Sequence, residues 1–305
     1  MSMNITNPIY FELLKHKLIS KSNLFKLFNR TRDKKINVLK DLKTKIIFLE
    51  KYTTANNYYS SIKSKHDKRS IKEKSKKKFA NIKILNKHIK SPILEDDLRR
   101  LNLFKNILKN KHVLDFGCGW GGFLRNLKNC KSLKGVELRT ECINYIKKNT
   151  KIAIADKIDH FNKVDIITMF HVLEHIPYQI DTLIKLRSKL NKGGKLIIEV
   201  PHAEDFLLLH QELPEFKKFN FWSEHLILHT YKSLKTILSK AGFKRININF
   251  YQRYNLSNHL GWFIKRKPGG HKFFQNLSNN KLNKLYSENL IKNKQTDTLI
   301  AIAKV

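Results

Sequence analysis

The stretch Val113-Leu114-Asp115-Phe116-Gly117-Cys118-Gly119-Trp120-Gly121-Gly122 decides the fold. An apolar run of strand length, His112 to Phe116, enters a glycine-rich turn, and Phe123 to Asn129 continues with helical spacing. Glycine lets the backbone take positive φ and come close to a ligand, which a Cβ would prevent. The spacing Gly117-x-Gly119-x-x-Gly122 also suits a dinucleotide loop, so its meaning depends on the residues around it.

From Pro92 onward, short apolar runs alternate with amphipathic stretches, the pattern of βαβ units in an α/β fold with a parallel sheet. Strands are expected at Leu133 to Glu137, Ile152 to Ile154, Val164 to Met169 and Lys195 to Val200. Helices are expected at Glu141 to Asn149 and Gln179 to Leu190, the second stopped by Asn191, Gly193 and Gly194. A helix over Ser233 to Ala241 stops at Gly242 and leads into a strand at Phe243 to Phe250, and Thr298 to Val305 reads as a last strand. Between these two strands lie roughly 46 residues, Tyr251 to Asp297, more than a hairpin needs, and this insertion is expected to cover the substrate site. A dinucleotide dehydrogenase would instead continue into a second mononucleotide-binding half.

The carboxylates refine the reading of the loop. Asp115 stands just before the turn, where it suits the ammonium of a methionine moiety, directly or through water, and where a pyrophosphate would be repelled. This favours S-adenosylmethionine as the cofactor; the alternative for Asp115 is a turn cap. Glu137 closes the second strand 20 residues after Gly117, where an acid accepts from ribose hydroxyls. Asp156 follows the third strand and suits the adenine amino group, unless it is a solvated loop acid, and Phe161 flanks the ring or packs in the core. With Gly117, Gly119, Gly121 and Phe170, these form the expected cofactor set. After the fourth strand comes Phe170-His171-Val172-Leu173-Glu174-His175-Ile176-Pro177, at the carboxyl end of the sheet where open α/β folds bind ligands. His171 is a candidate to approach the transferable methyl, and Glu174 and His175 to tie the next helix to the loop.

Leu114-Asp115-Phe116-Gly117-Cys118-Gly119, Leu173-Glu174-His175 and Asn191-Lys192-Gly193-Gly194 together resemble the successive motifs of class I S-adenosylmethionine-dependent methyltransferases. The resemblance covers about Asp97 to Phe250 and implies a Rossmann-like seven-stranded sheet whose last strand is inserted antiparallel. Phe221-Trp222-Ser223-Glu224-His225-Leu226, with Tyr231-Lys232-Ser233-Leu234 and Ala241-Gly242-Phe243, looks like the sugar-modifying branch of that family. There a Glu-His pair stands over the acceptor, so the resemblance makes His225 the candidate base and Glu224 its helper, with a sugar or nucleotide-sugar acceptor methylated on oxygen or carbon. His225 as a packing residue is the alternative. Trp222 stands where the carbon methyltransferases of that branch have tyrosine. Lys265, Arg266 and Lys267 beside Gly269 and Gly270 suit an acceptor phosphate, or form a solvated turn.

Residues 1–90 read as a basic, mainly helical extension, with Ile36, Leu39, Ile46, Ile47 and Leu49 at helical spacing; 91–250 form the methyltransferase core, and 251–305 the insertion and final strand. Ser61 to Lys90 holds 12 Lys or Arg against two acids, a solvated surface or a phosphate-facing arm. The 61 basic and 25 acidic residues give a net charge of +36, which suits a polyanion, although Lys, Asn and Ile are also the residues that A/T-rich codons favour. A nucleic-acid methyltransferase is therefore one alternative, and a non-catalytic binding module with the same fold is another. Against the first, no Asn-Pro-Pro-Tyr-like motif follows the fourth strand and no Pro-Cys pair offers a nucleophile. The first twenty residues carry Glu12, Lys15, His16 and Lys17 and so lack a secretory apolar core, and no apolar run approaches the ~20 residues of a membrane span. Cys118, Cys130 and Cys142 lack metal-ligand spacing, so no metal is expected, and the expected location is the cytoplasm.

Overall fold

The computed structural model describes residues 4–53, 93–277 and 279–305 of the chain. The basic arm Ser61 to Lys90 lies outside the described residues. The strands are β1 (Leu24–Phe28), β2 (Val38–Asp41), β3 (Ile47–Leu49), β4 (His112–Phe116), β5 (Ser132–Val136), β6 (Ala153–Ala155), β7 (Val164–Phe170), β8 (Leu190–Pro201), β9 (Ile227–Leu228), β10 (Lys244–Tyr251) and β11 (Thr298–Lys304).

Seven of them form one sheet in the order β10-β11-β8-β7-β4-β5-β6. β4 runs parallel to β5 and β7, β5 runs parallel to β6, and β11 is antiparallel to β10. This is the α/β class expected, with the final strand placed inside the sheet. Its strands read as unbroken apolar runs because both faces are covered: Val113, Leu114, Ile166, Ile167, Ile197 and Ile198 are all buried. One boundary is corrected. The helix Gln179–Ser188 ends before Leu190, and β8 already includes Asn191, Gly193 and Gly194. Asn191 Nδ2 donates to Asp165 Oδ1 at 2.8 Å, a bond that ties this start of the strand to β7 instead of capping a helix.

The N-terminal residues depart further from expectation. The described part of 1–90 holds one α-helix, Pro8–Lys15, and then β1, β2 and β3, which join β9 in a four-stranded antiparallel sheet. Ile46-Ile47-Phe48-Leu49 is a buried strand run whose spacing happens to satisfy a helical period as well. The turn before it decides the matter. Asp41 Oδ1 accepts from the Lys43 and Thr44 amides at 3.0 and 2.7 Å, and Lys45 takes φ +64°, so the chain reverses into a hairpin.

The chain divides into two compact units: residues 4–53, 170–188 and 196–305 in one, and 93–169 and 189–195 in the other. Within the first, the insertion forms the helices Leu256–Lys265, Gly270–Phe273 and Asn280–Lys292. Gly261 and Gly270 let two of these cross closely, since a Cβ on Gly261 would lie 2.5 Å from Gly270 Cα. At the expected phosphate turn, Gly270 thus serves helix packing, and Gly269 supplies a left-handed φ of 100°. Lys265, Arg266 and Lys267 are exposed, with Arg266 Nη1 donating to the Glu212 carbonyl and Lys267 Nζ 5.1 Å from the Phe273 ring. No helix among the described residues is long and apolar enough to cross a membrane.

Candidate functional site

The glycine loop leaves β4 with three left-handed residues in five: Gly117 at φ 81°, Gly119 at 55° and Gly121 at 71°. Such torsions strain any residue with a Cβ, which explains the sequence of the turn. The Gly117 amide donates to the Val136 carbonyl at 2.8 Å, anchoring the loop to the end of β5. The Gly119 amide donates to Glu137 Oε2 at 2.8 Å. The other Glu137 oxygen accepts from the Leu138 and Arg139 amides, both at 3.0 Å, and from Arg139 Nε at 3.1 Å. Glu137 therefore braces the loop and its own turn, a role for Arg139 that sequence reading missed although it lies two residues away. Asp115 is buried under the loop and accepts from Thr168 Oγ1 at 2.6 Å. Burial pushes its carboxyl up to about 7, against the pull of the Thr168 hydrogen bond, so it is poised to ionise when a cation arrives. Asp156 is exposed, 3.9 Å from His160 Nδ1, and Phe170 is buried at the end of β7. Lys134 Nζ lies 5.8 Å from the Phe161 ring centroid. A glycine-rich loop beside a buried acid, with a second carboxylate at the next strand end, fits S-adenosylmethionine.

The second cluster belongs to the other unit and gathers around Glu174, which is fully buried. His171 takes φ 53° and places Nδ1 3.1 Å from Glu174 Oε1 and Nε2 3.0 Å from Glu199 Oε1. Arg253 Nη1 lies 3.1 Å from the same Nε2 and Arg253 Nε donates to Asp297 Oδ1 at 2.9 Å. Burial would lower the His171 pKa, but hydrogen bonds to the two carboxylates outweigh it and raise it. Burial would likewise raise Glu174, yet His171 draws it down to about 2. Contacts with two buried carboxylates hold the His171 ring in place.

His175 donates from Nδ1 to the Glu224 carbonyl at 2.9 Å, so Glu224 enters the cluster through its backbone. The Leu226 amide donates to the Glu174 carbonyl at 2.8 Å, and the His175 and His225 rings meet edge to face at 4.9 Å. Burial, then the neighbouring His175, lowers His225 to about 3. It is neutral at physiological pH and a weak base there. The N-terminal sheet supports this loop: β9 pairs with β3, Asn7 Nδ2 donates to the Leu226 carbonyl at 3.1 Å, and Arg32 lies 4.0 Å over the Phe219 ring. Local patterns could not reveal these supports, since they join residues about two hundred positions apart.

The same unit contains a cavity of about 140 Å³ bordered by Asp205, Arg253, Tyr254, Asn258 and Trp262. Burial, reinforced by the charge of Asp297, raises Asp205 to about 8, which keeps it protonated at neutral pH.

A family model described as "Methyltransferase domain" matches residues 87–248. The chain is 30% identical over 135 residues to the mitochondrial ubiquinone biosynthesis O-methyltransferase of Candida albicans, covering 39% of this chain and 40% of that protein. It is 29% identical over 156 residues to the tRNA U34 carboxymethyltransferase of Aliarcobacter butzleri, covering 46% and 50%. The chain thus spans half or less of the length of these two relatives. A SAM-dependent methyltransferase from Archaeoglobus fulgidus superimposes with a TM-score of 0.45 at 20% identity, over 68% of this chain and 92% of that one. Because the family match extends over more than half of the chain and takes in the whole glycine loop with the strands around it, the chain belongs to the family of S-adenosylmethionine-dependent methyltransferase domains.

Proposed function

We propose that this protein transfers a methyl group from S-adenosylmethionine to a hydroxyl oxygen of a small acceptor of the sugar class. The observation that carries the reading is the cavity of about 140 Å³, in which Tyr254 and Trp262 stand with Asn258, Arg253 and the protonated Asp205. A sugar ring has apolar C–H faces and a rim of hydroxyls, and aromatic walls paired with amide and carboxyl groups suit both.

Asp115, Gly117, Gly119, Gly121 and Glu137 would hold the cofactor, with Asp156 toward the adenine amino group. When bound, it supplies a methyl group already activated on a sulfonium. The chain has to align the acceptor, exclude water and manage the acceptor's proton. His171, held by Glu174 and Glu199, positions the turn after β7, and the Glu224 carbonyl orients His175. His225 Nδ1 is buried and has no hydrogen-bond partner. A histidine held near 3 is too weak a base to remove a carbon-bound proton, whereas a hydroxyl proton leaves as the new bond forms. This favours methylation of oxygen over carbon.

The net charge of +36, together with the tRNA substrate in the name of one relative, favours RNA as a second reading. The test is methyl transfer from labelled S-adenosylmethionine, offered in parallel to nucleotide sugars, surface-polysaccharide fragments and total RNA. Label in the sugar pools is the expected result. Label in RNA alone overturns the sugar reading.

A further inference from the structure

We propose that Glu174, His175 and His225 form a binding site for one divalent ion of the zinc class. One donor atom from each residue lies within 4.8 Å of the other two. Two atoms of the group are otherwise unexplained: Glu174 Oε2 and His225 Nδ1 are sealed from solvent and neither has a hydrogen-bond partner. Buried polar atoms are nearly always satisfied, and a carboxylate oxygen and a ring nitrogen that converge with no hydrogen-bond partner for either suit a cation between them.

Each donor is also held from behind. His171 Nδ1 binds Glu174 Oε1 at 3.1 Å, which leaves Oε2 directed into the cluster. His175 Nδ1 donates to the Glu224 carbonyl at 2.9 Å, which fixes the orientation of its ring. The Leu226 amide on the Glu174 carbonyl, at 2.8 Å, locks the His225 segment against the turn that carries the other two donors. Ligands oriented by outer hydrogen bonds are what built metal sites show. Two imidazoles and one carboxylate are a borderline-soft donor set that suits zinc or cobalt over magnesium or calcium. Three protein ligands leave a position open. The ion would make a hydroxyl bound there more acidic, a role that rests on the proposed transfer to oxygen. The sequence pattern hides the site because the donors are adjacent on one turn and then 50 positions away.

The full chain, stripped with a chelator and dialysed, is titrated with Zn2+ by calorimetry and with Co2+ by visible absorption. One ion per chain and the intense d–d bands of low-symmetry Co2+ with nitrogen ligands are expected. His225→Ala and His175→Ala should each weaken Zn2+ binding about 100-fold or more. S-adenosylmethionine affinity should stay within about twofold of wild type in the same variants, because its residues lie outside the donor set. Zn2+ binding that is absent from the wild-type chain, or equally tight in both variants, overturns the site. If the ion binds as described but label enters only RNA, the site stands and the sugar reading alone fails.

Discussion

Asp33 accepts the Ser223 hydroxyl at 2.5 Å and the Ser223 amide at 3.0 Å, joining the N-terminal segment to the loop of Glu224 and His225 across 190 positions. Burial would raise the Asp33 carboxyl, but the Ser223 hydrogen bonds lower it below its ordinary value, so the contact is made by the charged form. Residues 4–53 are thereby structural supports of the loop that carries Glu224 and His225. Asp33→Ala should lose about 1–3 kcal/mol in chemical denaturation, since Ser223 is buried and would keep an unpaired hydroxyl and amide. Acceptor KM should rise while S-adenosylmethionine affinity stays unchanged, and Asp33→Asn should restore part of both losses.

Cofactor binding should depend on pH through Asp115. Its carboxyl is raised to about 7 by burial, and an approaching ammonium requires the ionised form. The Kd for S-adenosylmethionine should therefore fall roughly tenfold per unit as pH rises toward 7, and level off above it. Asp115→Asn should bind more weakly with no such slope. Calorimetry at pH 6, 7 and 8 checks both, and a wild-type Kd independent of pH would remove Asp115 from the cofactor site.

Asp205 gives a stability signature of its own. Its folded pKa of about 8 lies above its unfolded value, so the folded state holds an extra proton between about pH 4 and 8. Its contribution is complete below pH 4 and is lost as pH rises through 8, at about 1 kcal/mol per pH unit inside that window. Tm should drop between pH 6 and 9, and Asp205→Asn should flatten the drop.

Tyr254, half exposed at the cavity, offers a cleaner probe of the acceptor than the buried Trp262. Tyr254→Ala should raise acceptor KM about tenfold through a lost stacking face. Its kcat and its S-adenosylmethionine affinity should not change; an unaltered KM would place the acceptor elsewhere.

Gly119→Ala probes the loop itself. The backbone there has φ 55° and a new Cβ would lie 3.3 Å from Arg139 Nη2. The left-handed torsion costs about 1–2 kcal/mol, and cofactor affinity should fall with it. Equilibrium binding and denaturation on the same variant separate the two losses.

The cofactor half was legible because its signals are local. β4 and its loop announce themselves in ten consecutive residues, since positive φ permits little but glycine and a strand covered on both faces must be apolar. Asp115 and Glu137 could be placed by counting from those glycines. The N-terminal strands were not legible: Ile36 to Leu49 fits two periods, and the choice is made by the Asp41 turn and by pairing of β3 with β9. His225, Glu174 and His175 were each singled out in the sequence, but not that they meet. The low pKa of His225 and the convergence of its nitrogen on Glu174 and His175 come from burial and from a hydrogen-bonded return of the chain. The sequence by itself determined the α/β sheet, the glycine loop and the cofactor class, because each depends on torsions and periodicities within a few residues. Only the tertiary structure decided that residues 4–53 build a sheet that pairs with the strand after the Glu224-His225 loop, and that His171 is clamped by Glu174 and Glu199, because both depend on contacts that local sequence patterns do not show.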